Sequence, residues 1–320
     1  MKKETNISNL ADDSGSGLIV SDKAEIFSRK SFLNGKTIGI SISESDNLNE
    51  LGYGVPHLRD AIIEIARYIL AVGGKLAYGG DMRQGGFTEL IFDLLAYYKM
   101  DNESQPNERF YSYLAYPIST TLTLQKEAEL KQNVSFRKIA PPNDLIIGNP
   151  TEFLKPDSTE NLYIWAQCLT KMREEMELAC DGRIFIGGKT KGFKGKCPGI
   201  LEELLIAIQH KHPIYLVGAF GGVTKDAIEI LKGNQCQSFS NEYYFDNAEY
   251  KDLFLHYNKK HPDNLIDYVE YFKILQSIGL KGIAELNGLS EEDNLRLTNT
   301  PHISEVVFLI LKGLTNRFTK

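Results

Sequence analysis

No stretch of this sequence approaches the roughly 18 consecutive apolar residues of a membrane-spanning helix. The first 27 residues contain no apolar region long enough for a signal peptide. Cys168, Cys180, Cys197 and Cys236 form no CxxC pair, and the six histidines include no HExxH. Neither a disulfide framework nor a structural zinc centre is expected, no metal site is assigned, and a reduced, cytoplasmic protein is the expectation. Basic residues are not in excess: 36 Lys and Arg stand against 42 Asp and Glu, for a net charge of −6. That balance gives no support to a duplex nucleic-acid partner. It leaves room for a small anionic ligand, because a few lysines and backbone N–H groups can hold a phosphate on an acidic protein. The chain also lacks GxxxxGK[ST] and a clean GxGxxG after its first strand, which disfavours a P-loop NTPase and an ordinary NAD dehydrogenase.

What the sequence does contain is a regular alternation of strand-like and helix-like segments. Lys36 to Ser43 is rich in β-branched residues and reads as a strand. Leu58, Ile62, Ile65, Ile69 and Val72 recur at helical spacing, and Gly73-Gly74 closes that segment. The same reading gives strands at 75–80, 110–117, 134–141, 183–188 and 213–218. It gives helices at 87–99, 121–132, 161–182, 199–211 and 224–233, with turn chemistry over 141–156. Such alternation predicts an α/β fold with a mostly parallel sheet covered by helices on both faces. Beyond Gly233 no comparable strand run occurs, while 264–279 and 303–314 look helical. The expected organisation is an N-terminal tail or capping segment (1–33, too short for a fused effector), an α/β domain (34–235), and a helical C-terminal extension packed on it (236–320).

Three glycine-rich loops fall at strand-to-helix junctions: Gly79-Gly80 through Thr88, Gly187-Gly188 through Gly199, and Gly218 through Thr224. In an open parallel sheet ligands bind beyond the carboxyl ends of the strands. Glycine lets the backbone approach closely there, and the following helix N-terminus suits phosphate. Each loop alone could be only a tight turn; three together point to a shared ligand cleft. The candidate ligand-binding residues are Gly79, Gly80, Asp81, Arg83, Gly85, Gly86, Thr88 and Glu89 in the first loop. Gly187, Gly188, Lys189, Gly195, Pro198 and Gly199 come from the second, and Gly218, Phe220, Gly221 and Gly222 from the third. Ser43 and Glu44, at the end of the first strand, could meet a ribose or form an ordinary polar loop. Phe220 could stack a base or plug the core, and Thr88 and Thr224 are expected N-caps.

Glu202 and Glu203 open the helix after the second loop, and Glu89 opens the one after the first. Carboxylates at helix N-termini complement the dipole; one could instead bind ribose hydroxyls or stabilise cationic character as an N-glycosidic bond opens. Lys189, Lys191, Lys194 and Lys196 could neutralise phosphates or form a solvated loop. Arg83, Arg137 and Arg173 are possible phosphate anchors, each equally readable as a surface or helix-face charge. Cys197 has no partner histidine at recognisable spacing, so a nucleophilic role is not assigned.

The segment from Gly187 to Gly222, "GGKTKGFKGKCPGILEELLIAIQHKHPIYLVGAFGG", resembles the SLOG superfamily, which joins DprA-like proteins and the Lonely-guy phosphoribohydrolases. Laid on "KGKCPGILE", the PGGxGTxxE motif of its enzymes matches at Gly195 and Glu202, with Glu203 adjacent. Lys194, Lys196, Pro198 and Gly199 replace its proline, glycine, glycine and threonine. "YGGDMRQGGFTEL" and the tail from Gly288 to Leu314 look like the prokaryotic SLOG branch related to the ligand-sensor domain of TRPM channels. The resemblance implies a Rossmann-like domain that binds a nucleotide-derived small molecule such as ADP-ribose or a cyclic ADP-ribose isomer. It implies no further cofactor, a homo-oligomer, and, by analogy with bacterial defence relatives, an effector that here would be encoded separately. A ligand sensor is one expectation, an N-glycosidic nucleotide hydrolase using Glu202 or Glu203 is the second, and a ligand-free oligomeric scaffold is the third.

Overall fold

The computed structural model describes residues 31–80, 82, 85–97 and 109–319. Most of the expected N-terminal segment, together with Asp81 and Arg83, lies outside the described residues. Strands β1 (Thr37–Ser43), β2 (Lys75–Gly79), β3 (Phe110–Ala115), β4 (Ser135–Ile139), β5 (Gly182–Gly187) and β6 (Ile214–Val217) form one sheet in the order β4-β3-β2-β1-β5-β6. Every neighbouring pair is parallel. Parallel neighbours need crossovers, which are built from α1 (Val55–Ala71), α2 (Phe87–Tyr97), α3 (Leu124–Leu130), α4 (Thr159–Leu178) and α5 (Gly199–Gln209), with α6 (Gly222–Leu231) after β6. The fold is thus the expected Rossmann-like α/β architecture. The chain lays down β1 to β4 in one direction, and α4 then returns it to β5 on the other side of β1. The topological switch point therefore lies between β1 and β5.

Alternation along the strands divides the core into two layers. Ile38, Ile40, Ile42, Ile184, Ile186, Tyr215 and Val217 face α1, α2 and α11 (Ile303–Phe318). Phe185, Ile214 and Leu216 face the opposite layer, with α4, α5, α6, α8 (Ala248–Lys260) and α9 (Tyr268–Asn287). The second-layer positions of β1 are small: a Cβ on Gly39 would stand 2.6 Å from Cδ of Arg183, and Ser41 is buried nearby. An isoleucine there would exclude the arginine that β5 places on this face.

The C-terminal residues form α7 (Asn241–Tyr244), α8, α9, α10 (Glu291–Asn299) and α11, which pack on the sheet domain. Asn287 donates to the carbonyl of Ile214 at 2.8 Å and accepts at its own carbonyl from the Tyr215 hydroxyl at 3.0 Å. The helix expected to end at Gly279 does stop there: Gly279 (φ 56°, ψ −179°) is non-helical, and a second helical stretch follows it across a kink to Asn287. The helix expected over 121–132 starts only at Leu124, where the Thr123 side chain caps Lys126 N–H at 3.2 Å. Thr88 and Thr224 are not N-caps: α2 begins at Phe87, and Gly221 occupies the cap position of α6, leaving both threonines inside the first turn.

Asp293 of α10 accepts from Lys312 of α11 at 2.6 Å, and this bond above all holds its carboxyl below the usual aspartate range. A depressed native pKa adds stability above the unfolded aspartate value of about 3.9, which is lost as pH falls through the native value. Lys312→Met should therefore be less stable than the parent at pH 7, and the gap should close on acidification. Chemical denaturation at several pH values reads this directly; a gap that is constant with pH would remove the pair from the account.

Candidate functional site

The segment that leaves β1 acts as a clasp for the second and third glycine loops. Asp46 Oδ2 accepts from the Thr190 N–H at 2.8 Å, its hydroxyl at 2.7 Å and the Lys191 N–H at 3.2 Å. Asn47 Oδ1 accepts from Gly222 N–H at 3.2 Å, and the buried Ser45 hydroxyl donates to the Phe220 carbonyl. Gly188 in turn donates to the Ser43 carbonyl at 3.0 Å and accepts from Val223 N–H at 3.1 Å. The third loop is thereby turned inward. Gly218, Phe220, Gly221 and Gly222 are buried, and Phe220 packs on Tyr53 with ring centroids 5.3 Å apart. In this arrangement Phe220 plugs the core, and two N–H groups at the start of α6 are already bonded within the protein.

The first and second loops reach the same turn of α4. A Cβ on Gly79 would stand 3.1 Å from Sδ of Met172, and one on Gly199 would stand 2.6 Å from Nη2 of Arg173. Gly79, Gly80 and Gly86 are half-buried, Gly85 is exposed and Thr88 is buried. Glu89 accepts from the Gly85 N–H at 2.6 Å and lies 3.5 Å from Lys126; the backbone bond is the main cause of its lowered carboxyl pKa. In the second loop Gly187, Gly188, Gly195 and Pro198 are buried, Gly199 is half-buried and Lys189 is exposed. No side chain caps the first turn of α5, which starts behind Pro198. Ser43 is half-buried and Glu44 exposed at the end of β1, which pairs Ser43 with Gly187 across the switch point.

Beneath the second loop lies a chain of alternating charges. Glu202 Oε2 accepts from Arg173, while its Oε1 accepts from the Thr170 hydroxyl and lies 3.6 Å from Lys196 Nζ. Arg173 Nε is also 3.5 Å from Glu203 Oε1. Glu203 Oε2 accepts from Arg183 and from the Ser41 hydroxyl at 2.6 Å. Arg183 is bonded to Glu177 as well, whose other oxygen is 2.6 Å from His212 Nδ1. Burial opposes the charge on Arg173 and Arg183, but the carboxylates outweigh it and raise both pKa values, so both stay cationic. Three carboxylates thus alternate with the cations Arg173, Arg183 and Lys196, and His212 closes the chain at Glu177. Burial pushes the Cys197 thiol far above its ordinary range, which leaves it unreactive.

Thr170 also lines a cavity of about 430 Å³ with Lys171, Glu174, Tyr257 and His261. Burial, reinforced by Glu202 and Glu175 against the pull of Lys196, raises the Glu174 carboxyl above its usual range. The structure does not bring all the candidate arginines together: Arg173 is at the centre, whereas Arg137 is exposed on the edge strand β4, 5.2 Å over the ring of Tyr111. Thr170, Glu177, Arg183, Asp46 and Asn47 were not singled out by the sequence reading. The one signal for Arg183 was a lone charge inside the otherwise uncharged strand GRIFIG.

A family model described as SLOG cluster2 matches residues 32–297. The chain belongs to this SLOG family. Membership supports a nucleotide-related function for its Rossmann-like sheet and leaves the ligand open. None of the curated proteins matches this SLOG chain. Among solved structures it is similar to the X-ray structure of TM1055, a structural genomics target, at 16% identity and a TM-score of 0.35, covering 67% of this chain and 88% of that one. Among the described residues of this SLOG protein no helix is long and apolar enough to cross a membrane, and no cluster of His, Cys, Asp or Glu is arranged to hold a metal ion.

Proposed function

We propose that this SLOG protein binds a nucleotide-derived ligand of the ADP-ribose or cyclic ADP-ribose kind at the carboxyl ends of β1, β2 and β5, and senses it without hydrolysing it. The observation that carries the reading is the state of Glu202. Its side chain is buried, and both of its oxygens are engaged by protein partners: Arg173 at Oε2, and Thr170 with the nearby Lys196 at Oε1. Cleavage of an N-glycosidic bond needs a carboxylate free to act near the anomeric carbon.

Two departures from the enzyme motif support this state. Lys196, which stands in place of a motif glycine, brings the ammonium beside Glu202. Gly199, in place of the threonine, leaves the room that the Arg173 guanidinium fills. The exposed Lys189 and the uncapped start of α5 suit phosphate groups, and the resemblance to the TRPM-related branch favours an ADP-ribose-like molecule. A homo-oligomer and a separately encoded effector belong to the same reading.

Incubating the protein with AMP, NAD, ADP-ribose and cyclic ADP-ribose, while following melting temperature and release of free base together, tests it. A ligand at a hundred times its Kd should stabilise the fold by about 2.7 kcal/mol, with no product formed. Base release that disappears in Glu202→Gln would replace the sensor with a hydrolase. If none of the four raises the melting temperature, the nucleotide reading is lost.

A further inference from the structure

A second cavity, of about 260 Å³, opens on the outer side of the second glycine loop, between residues 190–193 and the segment from α7 into α8. Its lining is dominated by the rings of Phe193, Tyr243, Tyr244 and Tyr250. We propose that this aromatic pocket holds the flat heterocyclic base of the ligand while its phosphates stay at the glycine loops; the inference rests on the nucleotide reading above.

The rings are fixed before any ligand arrives. Phe193 meets Tyr250 edge-on with centroids 5.0 Å apart, and Tyr243 meets Tyr244 in the same way at 5.0 Å. Tyr244 is backed by Tyr268, stacked at 4.3 Å, and the Tyr250 hydroxyl donates to the Lys196 carbonyl at 2.6 Å. Rigid rings provide stacking area at little entropic cost, and every base presents a π face to them.

Charge and size both select a base over a phosphate. Lys191 and Asp246 line the pocket with opposite signs, so it offers no net attraction to an anion. The Lys191 ammonium also lies 5.7 Å from the Tyr243 ring. The volume falls below the range of about 300–1,000 Å³ that encloses a whole drug-sized ligand, which leaves space for a ring but not for a dinucleotide. Position agrees: Lys191 follows Gly188 closely, and Lys196, whose carbonyl anchors Tyr250, precedes Gly199. The pocket and the uncapped helix start are thus two sides of one loop.

Calorimetric titration of the full chain with ADP-ribose and with ribose 5-phosphate tests the assignment. Tyr243 is partly exposed, so Tyr243→Ala is expected to fold. It should weaken ADP-ribose binding about tenfold, a typical loss for one base–aromatic stack, and leave ribose 5-phosphate binding unchanged. Tyr243→Phe should bind both like the parent. Irradiation of the unmodified protein with 8-azido-ADP-ribose should label peptides containing Phe193 or Tyr243 to Tyr250, which keeps the test independent of any variant. Labelling elsewhere, or equal losses for the two ligands in Tyr243→Ala, overturns the base pocket while the nucleotide reading stands. Failure of the parent protein to bind ADP-ribose overturns the base pocket, and failure to bind AMP, NAD and cyclic ADP-ribose as well overturns the nucleotide reading.

Discussion

Replacing Gly222 with alanine should lower stability by about 3 kcal/mol or more. Gly222 has φ +64°, and a Cβ there would lie 2.2 Å from the Gly188 carbonyl oxygen and 2.9 Å from the Gly187 carbonyl carbon. Both obstacles are backbone of the neighbouring loop, so neither can rotate away. A left-handed backbone costs an ordinary residue roughly 1–2 kcal/mol, and forcing atoms into a packed site costs about 1–3 kcal/mol more. The same substitution pushes apart the loops that Asn47 and Val223 hold together. Ligand binding should therefore fall with stability. Chemical denaturation monitored by circular dichroism reads the first effect, and a midpoint within experimental error of the parent would refute the tight apposition of the second and third loops.

The second large effect is expected at Arg183. Arg183→Met should cost about 3–5 kcal/mol, because it strands Glu177 and Glu203 as buried carboxylates without their shared cation. The loss follows chiefly from the missing shared counter-charge, since methionine keeps an apolar stem in the place of arginine's. Adding Glu177→Leu to Arg183→Met should therefore restore part of the stability instead of lowering it further, as removing a buried pair whole is often nearly neutral. A double-mutant cycle measures this coupling. Additive losses, or a single Arg183→Met change under about 1 kcal/mol, would mean that water reaches the network and that its charges are not buried.

These two sites differ in how far they could be read in advance. The glycines of the third loop were visible as a cluster, but as one wall of a ligand cleft; their close packing on the second loop was not. What turned them inward was the segment after β1, where Ser45 and Asn47 capture the Phe220 carbonyl and the Gly222 N–H. Those partners are separated by 175 residues in both cases, and no local pattern marks such a pairing. Glu202 illustrates the same point. Its place at the start of a helix was plain, but a helix-start carboxylate reads equally as dipole complement or catalyst, and the partners that decide the matter come from α4 and from Lys196. By contrast, the break at Gly279 is legible locally, because the glycine there takes a backbone conformation (φ 56°) that ends a helix, and only the second stretch beyond the kink needs the fold to reveal it.

By itself the sequence determined the alternation of strand and helix, and with it the parallel sheet, because side-chain period and turn chemistry act over a few residues and need no distant partner. It also carried the family resemblance, spread over the first and second glycine loops and the C-terminal segment from Gly288 to Leu314. The order of strands about β1, the burial of Glu202 and Glu203 in a chain of alternating charges, the inward turn of the third loop and the aromatic pocket beside the second were decided only by the tertiary structure. Each depends on groups brought together by crossovers and by the C-terminal helices. The energy of a buried charge or a close backbone contact is set by what stands against it in space, whatever the distance along the chain.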